Sequence, residues 1–158
     1  MENNTKKERY DIIVKGGDFM NIDSLERFTE AQEHMYNVAL KEIQSGKKSS
    51  HWMWYIFPQL RGLGMSQISY IYGISGLDEA KAYLNHSVLS MRLYEICGEL
   101  LKHKNKTALE IFGYTDEIKL KSSMTLFALA SEDNSIFKEV LDCFFSGEMD
   151  KLTLKLVN

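Results

Sequence analysis

Residues 49–64 read SSHWMWYIFPQLRGLG, and the state of this stretch decides the fold. His51, Trp52, Trp54, Tyr55 and Phe57 crowd into it with few polar neighbours. A run that is apolar on all sides fits either a buried strand or a short buried helix by periodicity alone. Ser50 is placed to cap a helix and Pro58 to end one, which favours helix. Arg61-Gly62-Leu63-Gly64 then reads as a loop with two conformationally free positions.

Toward the N-terminus, Asp23 followed by Glu26 has the spacing of a capping box. Phe28, Ala31, Met35, Ala39 and Ile43 recur near every fourth position, and Tyr36 and Leu40 widen the stripe. This is an amphipathic helix, ended by Ser45-Gly46. Gln32 is expected on the border of the stripe, with Glu33 and His34 exposed. Residues 1–22 read as a polar, weakly structured tail in which Tyr10–Val14 forms a short extended piece before Gly16-Gly17. Residues 23–158 read as a single helical domain.

Toward the C-terminus the punctuation is regular. Ser66 caps a short helix that Gly73 stops, and Leu77–Leu84 forms another with Asp78 and Glu79 in its first turn. A strong helix spans Ser87–His103, with Val88, Met91, Tyr94, Cys97 (or Gly98) and Leu101 at three-to-four spacing and Leu93, Ile96 and Leu100 beside them. Thr107 and Glu110 open a short helix closed by Gly113. Thr115 or Asp116 opens the next, whose apolar second half, Met124–Ala130, runs through the core. Asn134 caps Ser135–Ser146, and Asp150 caps Lys151–Val157. The fold class is all-α: a compact, irregular array of seven to nine helices.

Composition narrows the function. A chain of 158 residues fits one domain. At that size roughly 70% of the extended-chain surface can be buried, so folding requires neither disulfide nor metal. The net charge of −3 argues against general nucleic-acid binding, which needs a basic footprint. Cys97 and Cys143 read as buried, reduced thiols. No apolar run approaches the ~18 residues of a membrane span. The N-terminus lacks the apolar core of a signal peptide, so a cytoplasmic location is expected. There is no P-loop and no dinucleotide-binding fingerprint. His34, His51, His86 and His103 have no metal-ligand spacing, so no metal or cofactor is expected.

Two clusters are candidates for function. In the first, His51, Trp54, Tyr55, Gln59 and Arg61 supply aromatic faces and polar handles for a ligand wall. If the stretch is helical, His51, Trp54 and Tyr55 share one face. The competing reading is an aromatic core corner with its polar tips satisfied by backbone. In the second, Lys119, Lys121, Ser122 and Ser123 put cations and hydroxyls on two helical turns, suited to an anion. Against that, helical Ser and Thr often bond their own i−4 carbonyls. The basic run Lys102–Lys106 is explained by the dipole at its helix end.

Several strings carry a resemblance. They are Arg-Phe-x-x-Ala-Gln at 27–32, Ser-His-Trp-Met-Trp-Tyr-Ile-Phe-Pro-Gln-Leu-Arg-Gly-Leu-Gly at 50–64, Tyr-Gly-Ile at 72–74 and Glu-Ala-x-x-Tyr-Leu at 79–84. Ile-Phe-Gly-Tyr at 111–114 and Lys-Leu-Lys-Ser-Ser-Met-Thr-Leu-Phe at 119–127 complete the set. The chain resembles the bacterial domain-of-unknown-function 1810 family, sometimes mislabelled as calpastatin, over about residues 23–157. The resemblance implies a helical domain of α-solenoid type, and it brings no activity, cofactor or catalytic residue.

The expected function is a binding module with a small-molecule or peptide site lined by His51–Tyr55. One alternative is a hydrolase or transferase on a phosphorylated or nucleotide-like compound, with His51 as acid or base and Lys119, Lys121 or Arg61 holding the anion. The other is a scaffold for a protein partner.

Overall fold

The computed structural model describes residues 12–13, 19–20, 23–133 and 135–157. Helix α1, Glu26–Ser45, buries Phe28, Gln32, Tyr36, Ala39 and Ile43, the face expected from i, i+4 spacing. It starts later than the capping-box pattern indicates. Ser24 Oγ accepts the Glu26 N–H at 3.2 Å, while Asp23 pairs with Arg61 at 3.0 Å. Gln32 is not on a border. It is buried, and its amide donates to the Tyr55 carbonyl at 2.7 Å and the Tyr83 hydroxyl at 3.0 Å.

The tryptophan-rich stretch is the main departure from expectation. Only Met53–Ile56 (α2) is helical, a single turn, and Ser50 does not cap it. The Glu42 carboxylate instead accepts the N–H groups of Ser49 (2.7 Å) and Ser50 (2.9 Å) and the Trp52 indole N–H (3.0 Å). These bonds fold the chain back against the end of α1 and take the donors a longer helix would use. Burial works to raise the Glu42 carboxyl, but the Ser49, Ser50 and Trp52 hydrogen bonds outweigh it and hold the group at about 2. Further on, Leu60 pairs with Ile74 in a parallel bridge.

The remaining helices follow their signals closely. They are α3 (Gln67–Ile71), capped by Ser66, α4 (Leu77–Asn85) and α5 (Ser87–Leu100), which tightens into a 3-10 turn at Leu101–His103. Then come α6 (Ala108–Ala130), α7 (Ser135–Phe145) and α8 (Lys151–Val157). Gly113 (φ 81°, ψ 168°) interrupts α6, so the long helix is a short piece and a long piece set at a break. Asp150 Oδ2 caps α8, accepting the Thr153 N–H at 2.9 Å. Asn134, expected to cap α7, lies outside the described residues.

The apolar face expected for α5 is partly shifted. Leu93, Ile96, Cys97 and Leu100 are buried, joined by Leu89, while Met91 and Tyr94 face outward. Cys97 is buried as expected, whereas Cys143 is half-buried; both are free thiols. The basic run has a second role: His103 Nε2 lies 2.7 Å from the Ile43 carbonyl and Lys106 Nζ 3.2 Å from that of Gly46. The Lys106 ammonium thus complements the C-terminal end of α1, a different helix from its own, with the His103 ring against the same end.

Packing centres on α6, which lies against α4, α7 and α8, while α1 packs on α5. A chain of aromatic contacts, Phe28–Tyr83 (5.2 Å), Tyr83–Phe127 (5.1 Å) and Phe127–Phe137 (5.8 Å), ties α1, α4, α6 and α7 together. Arg27, fully buried, pairs with Glu79 at 2.7 Å and donates to the carbonyls of Ser24, Ile71 and Gly73, pinning that loop to α1. Two strands, β1 (Ile12–Ile13) and β2 (Phe19–Met20), pair antiparallel; β1 falls in the expected extended piece, whose other residues lie outside those described. The described structure is otherwise helical, with eight α-helices. No described helix is long and apolar enough to cross a membrane.

A candidate ligand groove between the tryptophan segment and the long helix

The 53–57 segment is mostly core: Met53, Tyr55, Ile56 and Phe57 are buried, as is Trp52 just before them. Trp54 is the exception, half-buried and turned toward α6, where Lys119 Nζ sits 5.4 Å from its ring centroid. Lys119 also lies 3.3 Å from Asp116, but that carboxylate is closer to Lys48, at 2.8 Å. Two ammonium groups share one carboxylate, and Lys119 holds the longer contact.

Beside Lys119 opens a groove of about 270 Å³ between the 59–64 loop, α6 and the start of α8. Leu63, Tyr114, Ile118 and Leu152 form its apolar walls, and Gln59, Lys119 and Ser122 are among its polar groups. A second, smaller void touches Trp54, Phe57 and Tyr72 and shares Gln59 and Lys119 with the groove. Its volume of about 10 Å³ is at the lower limit for holding a single water. Tyr114 is 76% exposed, Ile118 51% and Leu152 60%, a concentration of apolar surface around one concavity.

The polar groups differ in how far they are committed. Ser122 Oγ donates to the Ile118 carbonyl at 3.1 Å, the i−4 bond expected of a helical serine. Asp150, also among the lining residues, accepts from both Thr153 N–H and Thr153 Oγ1 through Oδ2.

Of the nine candidate residues, Gln59, Lys119 and Ser122 line the groove, and Trp54 lines the adjoining void. The other five lie elsewhere. His51 is exposed and lines neither cavity, because the single turn of α2 begins after it. Tyr55 is buried against Tyr72 at 5.2 Å, with its hydroxyl on the His51 carbonyl at 3.4 Å; burial raises its phenol. Arg61 reaches Asp23 and the Tyr70 carbonyl, Lys121 pairs with Glu148 at 3.2 Å, and Ser123 is sealed in the core. Leu63, Tyr114, Ile118 and Leu152 were not anticipated. The available signal was Tyr114 and Ile118 at i, i+4, an apolar pair on a face the core does not use.

A larger cavity, about 610 Å³, lies between the end of α4, α5 and the loop after α6. Its walls are mainly polar, with Lys81, Asn85, Glu132 and Asp133 among them. Ligand sites are lined mainly by apolar groups with a few placed polar ones, so the smaller groove fits that description better. Among the described residues, no group of three or more His, Cys, Asp or Glu is arranged to hold a metal ion.

Comparison with known proteins places the fold. A model of the family described as "Protein of unknown function (DUF1810)" matches residues 22–157. The chain belongs to the DUF1810 family. This DUF1810 chain is also similar to a solved structure, the conserved hypothetical protein Rv1873 from Mycobacterium tuberculosis. The two are 44% identical, the match covers 85% of this chain and 96% of that one, and the TM-score is 0.84. No curated protein matches the DUF1810 chain.

Proposed function

We propose that this DUF1810 chain is a binding module whose small-molecule site is the groove between the tryptophan segment and α6. The observation that carries the reading is convergence. Gln59, Lys119 and Ser122, from two separate candidate clusters, meet at a concavity rimmed by exposed Tyr114, Ile118 and Leu152, and Trp54 lines the small void that shares Gln59 and Lys119 with it. A half-buried cation beside an aromatic face and an apolar wall is the usual make-up of a ligand site. Binding is preferred to acid–base catalysis because His51 lines neither the groove nor the adjoining void. The α-solenoid description belongs with this proposal: α4 with α5, and α6 with α7, are consecutive helices packed in pairs.

A thermal-shift screen against nucleotides, sugars, phosphates and small carboxylic acids tests it. A ligand of the folded state raises the melting temperature in proportion to its concentration over Kd. The shift should vanish in Lys119→Gln and in Leu152→Asp. A hit that survives both substitutions, or the absence of any hit, counts against the groove.

A further inference from the structure

We infer that the groove selects a small monoanionic carboxylate carrying an apolar body, an inference that rests on the groove being a ligand site. Lys119 is the cation among its lining residues, and its partner carboxylate, Asp116, is drawn to Lys48 at 2.8 Å against 3.3 Å. Within that triad two ammonium groups meet one carboxylate, so Asp116 alone does not neutralise both. The ring face at 5.4 Å attracts the ammonium but does not neutralise it. An oxyanion completes this arrangement, and the Gln59 side chain lines the same spot.

The charge number follows from the lining. Lys119 is its one cation, and Asp150, the cap of α8, brings a negative charge to the same set of residues. One anionic charge is balanced by Lys119; a second is repelled by Asp150. A carboxylate therefore suits the site better than a phosphate dianion. The remaining walls, Leu63, Tyr114, Ile118 and Leu152, offer an apolar surface and no further cation. The cavity holds the volume of about nine waters at roughly 30 Å³ each, enough for a body of one ring or one branched chain.

The experiment uses matched acid and amide probes: phenylacetate with phenylacetamide, indole-3-acetate with indole-3-acetamide, and 4-methylpentanoate with its amide, plus phenyl phosphate. Binding to the full chain is followed by NMR at the Ile118 methyl and Trp54 indole signals. At least one acid is expected to bind about tenfold more tightly than its amide, the ratio given by exchanging a charged for a neutral hydrogen bond. Lys119→Gln should remove that preference, while Lys102→Gln, an equal change in net charge at the distant Glu99 pair, should leave it. If acids and amides bind equally, or phenyl phosphate binds best, the inferred ligand class is wrong although the groove stands. If no probe moves either signal up to its solubility limit, both the class and the site fall.

Discussion

Arg27 shows how far one side chain organises this molecule. Its guanidinium holds Glu79 and three carbonyls, and none of these partners is open to solvent on the arginine side. Breaking a buried pair strands a charge, so Arg27→Met should destabilise the chain by about 3–5 kcal/mol in urea denaturation. Arg27→Lys should recover only part of this, because an ammonium cannot reproduce the planar fork. Glu42 is the second organiser. Its carboxyl is held at about 2, below the usual 4.5, so it adds stability that is present above pH 4.5 and lost as pH falls toward 2. Glu42→Gln should flatten that loss, measured as urea midpoints across this window. A variant whose midpoint falls as steeply as the parent's between those pH values would remove Glu42 from the explanation. Neither role is readable from the sequence, since Arg27 and Glu42 act on partners brought near only by the fold.

At the scale of elements, the caps at Ser66, Thr107 and Asp150 were legible, those expected at Asp23 and Ser50 do not form, and faces were legible only in part. Ser66, Thr107 and Asp150 each accept the expected N–H, because a capping side chain acts within its own few residues. The phase of α5 was only partly legible, because apolar residues surround that helix. Val88-Met91-Tyr94 and Leu89-Leu93-Ile96 are both valid stripes until a neighbour chooses one. The tryptophan segment failed for a related reason: uniform apolarity carries no period, and Glu42 from another element decided its path. Gly113 is the sharpest element-level test. At φ 81° and ψ 168° it occupies a region that side chains rarely enter, and nothing lies within 4 Å of an added Cβ. Gly113→Ala should therefore cost about 1–3 kcal/mol through backbone strain alone. A denaturation midpoint equal to the parent's would mean the break is not held by that backbone geometry.

For the whole molecule, the packing around α6 leaves one face of that helix uncommitted. Leu120, Met124 and Phe127 go to the core, while Tyr114, Ile118 and Lys119 border the groove with the 59–64 loop and α8. The sequence pointed to the polar half of this site, Trp54, Gln59, Lys119 and Ser122, through residue types. The apolar half was hidden because exposed Leu, Ile and Tyr look like core residues until burial is known. Leu152 lies 60% exposed, so Leu152→Asp should leave stability within about 0.5 kcal/mol while abolishing ligand binding. Parallel urea melts and binding titrations separate the two effects.

The most direct measurement is a high-resolution crystal structure of the chain soaked with a panel of small acids and neutral fragments. Ordered fragment density should lie against Trp54, Ile118 and Leu152, with a carboxylate at Lys119 Nζ. Density confined to the polar cavity beside Tyr94 and Asn85, with the groove holding only water, would contradict the assignment.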